Sequence, residues 1–163
     1  MQYHFVGVRV SYVLDTDVLV AALRSSRGAS RQLLLGALDH RFELLLSVPL
    51  VLEYEAVLTR PEHLAACGLR GEEVERVLDD LASVAKPVRL AFRWRPRLSD
   101  PNDDMVLETA VNGNADAIVT FNQRDFKETS RSGGAGRAYS PPNIYCAVIL
   151  PGAALQEMRS LNS

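Results

Sequence analysis

Cysteine is scarce in this chain: 163 residues include only Cys67 and Cys146. Two lone thiols build no disulfide framework and offer no metal-ligand spacing, so a reducing cytoplasm is the expected setting. Long apolar runs are also missing. The best candidates, Val18–Leu23 and Leu44–Leu52, fall well short of the roughly 18 residues that a membrane span needs, and no membrane association is expected. Met1–Val10 lacks the sustained apolar region and small-residue cleavage site of a secretory signal. Histidine is limited to His4, His40 and His63, scattered among charged or terminal segments and read as surface residues. No Gly-rich phosphate loop, G-x-S-x-G elbow or H-E-x-x-H motif occurs, which excludes P-loop, serine-hydrolase and zincin chemistry. Neither sign of charge dominates. Asp+Glu number 20 against Lys+Arg 18, a net charge of -2, so a polybasic binder is excluded.

What is present is an ordinary globular composition, 47% hydrophobic and 23% charged, at a length that supports one core and one domain over 1–163. Val8–Leu14 reads as a buried strand running into Asp15, and Thr16–Leu23 as a helix. A second helix spans Ala29–Leu38 with Ser30 as candidate cap. Phe42–Leu46 is strand-like, and Ser47 followed by Pro49 opens a helix reaching about Leu58. The clearest helix is Glu72–Ser83, where Val74, Val77, Leu78 and Leu81 keep helical spacing. A third strand is expected over Ala85–Leu90, then a polar loop over Arg93–Asn102. Asp100-Pro101 starts another helix that Gly113 closes. Ala117–Thr120 and Ala147–Leu150 complete the strands, and Pro151 opens a terminal helix. Strands alternating with helices predict an α/β fold with a mainly parallel central sheet, whose ligands gather at the carboxyl ends of the strands. Residues 130–142, rich in Gly, Ser and Pro, read as a flexible loop insertion.

The chemistry rests on carboxylates. Asp15 and Asp17 directly follow the first strand, where capping and the helix dipole explain them as readily as function does. Asp100, Asp103 and Asp104 place three acids in five positions. Capping does not require that density, and a divalent cation is the common remedy for the repulsion. Asp125 lies beyond the strand Ala117–Thr120 and is an ordinary loop residue by itself. Glu53 and Glu55 flank opposite edges of a face formed by Leu50, Tyr54, Val57 and Leu58, and the pattern does not choose between them. In a parallel sheet Asp15, Asp104 and Asp125 share one edge. Oxygen-only donors select Mg²⁺ or Mn²⁺ over zinc, and such ions suit phosphate chemistry. Arginine supplies 16 of the 18 basic residues. Arg24, Arg27 and Arg31, with Arg89, Arg93, Arg95 and Arg97, are weak candidates for a nucleic-acid path.

Four segments in order resemble the PIN-domain family of VapC-like toxin components. They are Val13–Leu23, Leu50–Pro61, Asp100–Leu107 and Ala115–Phe126, with Val148–Leu155 resembling the closing strand and helix. The resemblance covers about Val8 to Met158. It implies a three-layer α/β/α PIN-like fold with helices flanking the sheet. It also implies that Asp15, Glu53 (rather than Glu55), Asp104 and Asp125 are the catalytic, metal-holding acids. Thr120 matches the hydroxyl before the last motif loop, Asn122 stands where many relatives carry Asp, and Asp103 is a supporting candidate. Asp17 stands where the family usually has Asn, which adds negative charge. The N-terminal extension and the 130–142 insertion also depart from the pattern.

The resemblance further implies a Mg²⁺- or Mn²⁺-dependent endoribonuclease that acts as a toxin on RNA. A small antitoxin would cover the site, and the protein would form a homodimer. Two alternatives stand beside it. Asp15-Thr16-Asp17 mimics the nucleophile motif of haloacid-dehalogenase-like phosphatases, although Leu19 interrupts that pattern and only Lys86 and Lys127 are available as the required lysine. Asp17 and Asn122 also make a catalytically silent PIN-fold binding module conceivable.

Overall fold

A computed structural model describes residues 9–91, 101–126 and 146–163, and at 101–103 the backbone alone. Five strands form one parallel sheet: β1 Ser11–Leu14, β2 Glu43–Leu46, β3 Lys86–Pro87, β4 Ala117–Val119 and β5 Ala147–Ile149, in the order β3-β2-β1-β4-β5. Helices α1 Thr16–Arg24, α2 Ala29–Leu38, α3 Val48–Leu58, α4 Pro61–Cys67, α5 Gly71–Val84, α6 Pro101–Asn112 and α7 Pro151–Leu161 flank it in the expected three-layer α/β/α arrangement.

β1 is central because it is apolar on both faces. Tyr12, Val13 and Leu14 are all buried, as a strand covered by helices on either side requires. The chain leaves β1 for β2 and β3 on one side, then returns through α6 to β4 on the other. Register pairs Leu14 with Val119, and the Asp15 N–H extends the ladder to the Val119 carbonyl at 2.9 Å. The carboxyl ends of β1 and β4 therefore meet where the strand order reverses. At the opposite end, Asp116 accepts from the Ser11 N–H at 2.8 Å and ties the same two strands together.

Most elements match the sequence expectations within a residue or two, and the departures have local causes. Ser30 does not cap α2; Gly28 occupies that position, and Ser30 is buried inside the helix. The third strand contracts from 85–90 to Lys86–Pro87, since an edge strand pairs on one side only and Pro87 donates no ladder bond. Helix α4 was not anticipated: it is short, begins at Pro61 and ends at Gly68 in the left-handed region, φ 70. Gly113 does follow α6, but the left-handed residue there is Asn114, φ 51. Gly113 is needed for space. A Cβ there would lie 2.8 Å from Leu45 Cδ1 and 3.0 Å from the Thr109 carbonyl. The segment 130–142 lies outside the described residues, as does 93–100 of the loop expected over 93–102, whose last two residues belong to α6.

Candidate functional site

Asp15 is the N-cap of α1, its Oδ1 accepting from the Thr16 N–H at 2.8 Å. Its other oxygen accepts from the Thr120 hydroxyl at 2.7 Å, across the β1–β4 junction. Asp15 is 5% exposed and Thr120 fully buried, so this bond forms away from bulk water. The Thr120 hydroxyl also lies 3.4 Å from Asp17 Oδ2, and it accepts from the Asn122 N–H at 2.9 Å. One hydroxyl carries one proton, and the shorter contact places it toward Asp15.

Asp17 is therefore the under-supplied member of the pair. Its Oδ2 accepts from the Phe121 N–H at 3.1 Å, whereas Oδ1 is buried without a hydrogen-bond partner among the described residues. Burial, then the neighbouring Asp15 carboxylate, pushes the Asp17 carboxyl up to about 7, against the opposing pull of the Phe121 N–H and the Thr120 hydroxyl. Two acids that share one donor, one of them with an orphaned buried oxygen, make a site short of positive charge. An oxygen-preferring divalent cation fits that deficit.

The other expected acids lie on surrounding elements. Asp104, 1% exposed, is in the first turn of α6. Glu53 is half-buried on α3 while Glu55 is exposed. Asp125 is half-buried in a helical turn over 123–126, its N–H bonded to the Asn122 carbonyl, and Asn122 is exposed. Among the described residues no three His, Cys, Asp or Glu side chains gather as a metal-holding group. The structure thus brings Asp15, Asp17 and Thr120 together and does not draw Glu53, Asp104 and Asp125 into one cluster with them. The Asp103 side chain lies outside the described residues.

Sequence reasoning passed over three buried groups near these acids. The Tyr54 hydroxyl, next to Glu53, donates to the carbonyl of Leu14, next to Asp15. Burial, then the charges of Asp15 and Asp17, holds the Tyr54 phenol well above its ordinary range, so the hydroxyl remains a donor. The Thr109 hydroxyl donates to the Met105 carbonyl at 2.7 Å, which leaves Ser47 to donate to Thr109 at 2.7 Å. That link ties the cap of α3 to the helix carrying Asp104. Glu108, fully buried, lies one turn beyond Asp104 on α6. Its i+4 spacing from Asp104 was the available signal.

The arginine candidates divide. Arg24 donates to His63 Nδ1 at 2.8 Å, and Arg31 donates to the Ala22 carbonyl at 2.6 Å. His63 is thus half-buried and engaged, rather than a bare surface residue. Arg93, Arg95 and Arg97 lie outside the described residues.

Residues 11–124 match a family model described as the PIN domain, and this stretch spans β1 through β4 with both carboxylates of the cluster. The chain belongs to the PIN-domain family. A solved structure agrees in fold. A chain from the crystal structure of VapBC2 from Rickettsia felis, bound to a DNA fragment from their promoter, has TM-score 0.55 and 16% identity, covering 86% of this chain and 98% of that one. Comparison with curated proteins gives no match. PIN domains are nucleases, so membership supports hydrolysis of nucleic acid as the activity of this PIN domain.

Proposed function

We propose that the protein is a Mg²⁺- or Mn²⁺-dependent endoribonuclease, the toxin component of a toxin–antitoxin system. The observation that carries this reading is the Asp15–Thr120–Asp17 cluster at the switch point of the sheet, with its orphaned Asp17 oxygen. When bound, a divalent ion supplies an acidified water and offsets the charge that develops on phosphoryl oxygens. By the family resemblance Asp15, Glu53, Asp104 and Asp125 would hold it, with Asp17, Asp103, Thr120 and Asn122 in support; of the four, the described structure places Asp15 beside Asp17 and Thr120.

The chain's own part is to orient the acids of the cluster. Thr16 and Thr120 fix both oxygens of Asp15. The Phe121 N–H holds one oxygen of Asp17. Asn122 keeps Thr120 oriented by donating to its hydroxyl. The reading includes an antitoxin partner, in keeping with the VapBC2 complex that shares the fold, together with RNA as substrate, a homodimer and a cytoplasmic setting.

For the phosphatase alternative, Lys86 is badly placed: it pairs with Glu43 at 3.6 Å on the β2–β3 edge, two strands away from Asp15, and Lys127 lies outside the described residues. The deciding experiment gives purified protein structured and single-stranded RNA with Mg²⁺ or Mn²⁺. Cleavage by the wild type and none by Asp15→Asn or Asp104→Asn is expected. Equal cleavage by all three would expose a contaminant and end the assignment.

A further inference from the structure

Six large hydrophobic side chains are substantially exposed among the described residues, and five are aliphatic: Leu35, Val48, Leu52, Leu150 and Leu161. The sixth is Phe121, 50% exposed and directly after Thr120. A half-exposed aromatic needs no explanation by itself. The setting of this one does. Its own N–H donates to Asp17, the Thr120 N–H before it donates to the Ile149 carbonyl at 3.0 Å, and the Asn122 N–H after it donates to the Thr120 hydroxyl. The backbone carrying the ring is thus fastened to the acid pair and to the end of β5. A ring held this way loses little freedom when something binds it.

Phe121 also walls a cleft of about 530 Å³ lined, among the described residues, by Asn122, Gln123, Arg124 and Asp125 as well. The Gln123 amide is committed to the Val148 carbonyl at 3.0 Å. Arg124 is exposed and makes no ion pair among the described residues, which leaves its guanidinium available for a phosphate. An aromatic face and an available arginine in one short loop, fastened by the Phe121 N–H to the Asp15–Asp17 pair, match the base, the backbone phosphate and the reacting end of a nucleotide.

We propose that Phe121 is the base-stacking residue of the substrate cleft, taking the face of an unpaired base beside the cleaved phosphate while Arg124 meets a phosphate of the same strand. This rests on the nuclease reading and adds to it a residue that sets substrate position. Base faces inside an A-form helix are covered by their neighbours, so only a splayed base can use the ring. Stacking tolerates any base. Phe121 therefore fixes where the strand lies relative to the acids, not which base is read. The rival occupant, an apolar side chain of a protein partner, makes no use of Arg124 or of an aromatic face as such.

Substitution separates the two occupants. Phe121→Leu keeps an apolar side chain and removes the aromatic face, whereas Phe121→Trp keeps both. The probe is a short single-stranded oligoribonucleotide carrying 2-aminopurine at alternate positions, its fluorescence followed on titration with protein, and cleavage kinetics run in parallel with Mg²⁺. Wild type and Phe121→Trp should quench the probe. Phe121→Leu should bind about five- to a hundredfold more weakly, lose the quenching, and show the loss in KM rather than kcat. Binding and quenching by Phe121→Leu equal to wild type, with cleavage still abolished by Asp15→Asn, overturns the role of Phe121 alone. RNA cleavage that survives Asp15→Asn overturns the nuclease reading and this inference with it.

Discussion

Asp15 caps α1 with one oxygen and meets Thr120 with the other, so substitutions there separate stability from chemistry. Asparagine caps a helix about as well as aspartate, whereas alanine forfeits roughly 1 kcal/mol. Asp15→Asn should therefore unfold near the wild-type temperature, and Asp15→Ala roughly 2–4 °C lower. Both should lack RNA cleavage, and thermal melts beside a cleavage assay check the pair. Asp17 carries a different signature. Its folded carboxyl titrates near 7 against an ordinary 3.8, because burial and Asp15 disfavour the charged form. The folded chain thus holds that proton more tightly than the unfolded chain. The stability it contributes is complete below the ordinary value and is lost as pH rises through the folded one. In chelator, melting temperature should fall across that window, and Asp17→Asn should flatten the fall. A profile unchanged by Asp17→Asn would show that the pair does not repel as described.

At the scale of elements, α3 is braced from two sides. Tyr54 reaches the last residue of β1, and Ser47 reaches Thr109 on α6. Glu53 lies between these anchors in sequence, so the brace sets its helix against the two elements that carry Asp15 and Asp104. Tyr54→Phe leaves the Leu14 carbonyl without that donor and should cost about 1–3 kcal/mol by denaturant titration. Mn²⁺ affinity should weaken with it, whereas an equally destabilising Leu155→Ala on α7 should leave affinity unchanged. Glycines give a second contrast. Gly113→Ala would press a methyl against Leu45, Val88 and the Thr109 carbonyl, at a cost of about 1–3 kcal/mol. Gly152 has open space around it within α7, and Gly152→Ala should stabilise by roughly 0.5–1 kcal/mol. Denaturant midpoints of the two variants should move in opposite directions.

For the whole molecule, an ion held at the acid pair would make folding and ion binding one equilibrium. A cation that binds only the folded state at about a hundredfold over its dissociation constant adds about 2.7 kcal/mol of stability. Mn²⁺ should raise the wild-type melting temperature and leave Asp15→Asn nearly unmoved. A wild type that ignores Mn²⁺ yet still binds RNA would point instead to a silent binding module. The net charge of -2 does not oppose the nuclease reading. Several of the acids behind that total stand beside Thr120 or on the elements around it, where a bound cation would offset them.

Much of this architecture was legible in the chain because local rules wrote it. Apolar runs such as Tyr12–Leu14 and the spacing of Val74, Leu78 and Leu81 report burial directly, and Ser47 and Pro151 mark helix starts by their own chemistry. Ser30 misled because a serine near a helix start caps only if it precedes the first turn, and here Gly28 does so. Gly113 was placed correctly for a reason only packing supplies, the approach of Leu45 and Val88. The acids were visible individually, but their partnership was not: Asp15 and Thr120 are 105 residues apart and meet only through the β1–β4 register. Sequence alone determined the strand–helix alternation and the carboxylates that follow the strands, since both follow from periodicity and side-chain type. Tertiary structure alone decided that a single threonine hydroxyl stands between two carboxylates and bonds Asp15, that Tyr54 ties α3 to β1, and that Phe121 stands open beside them, because each depends on distances that no local pattern encodes.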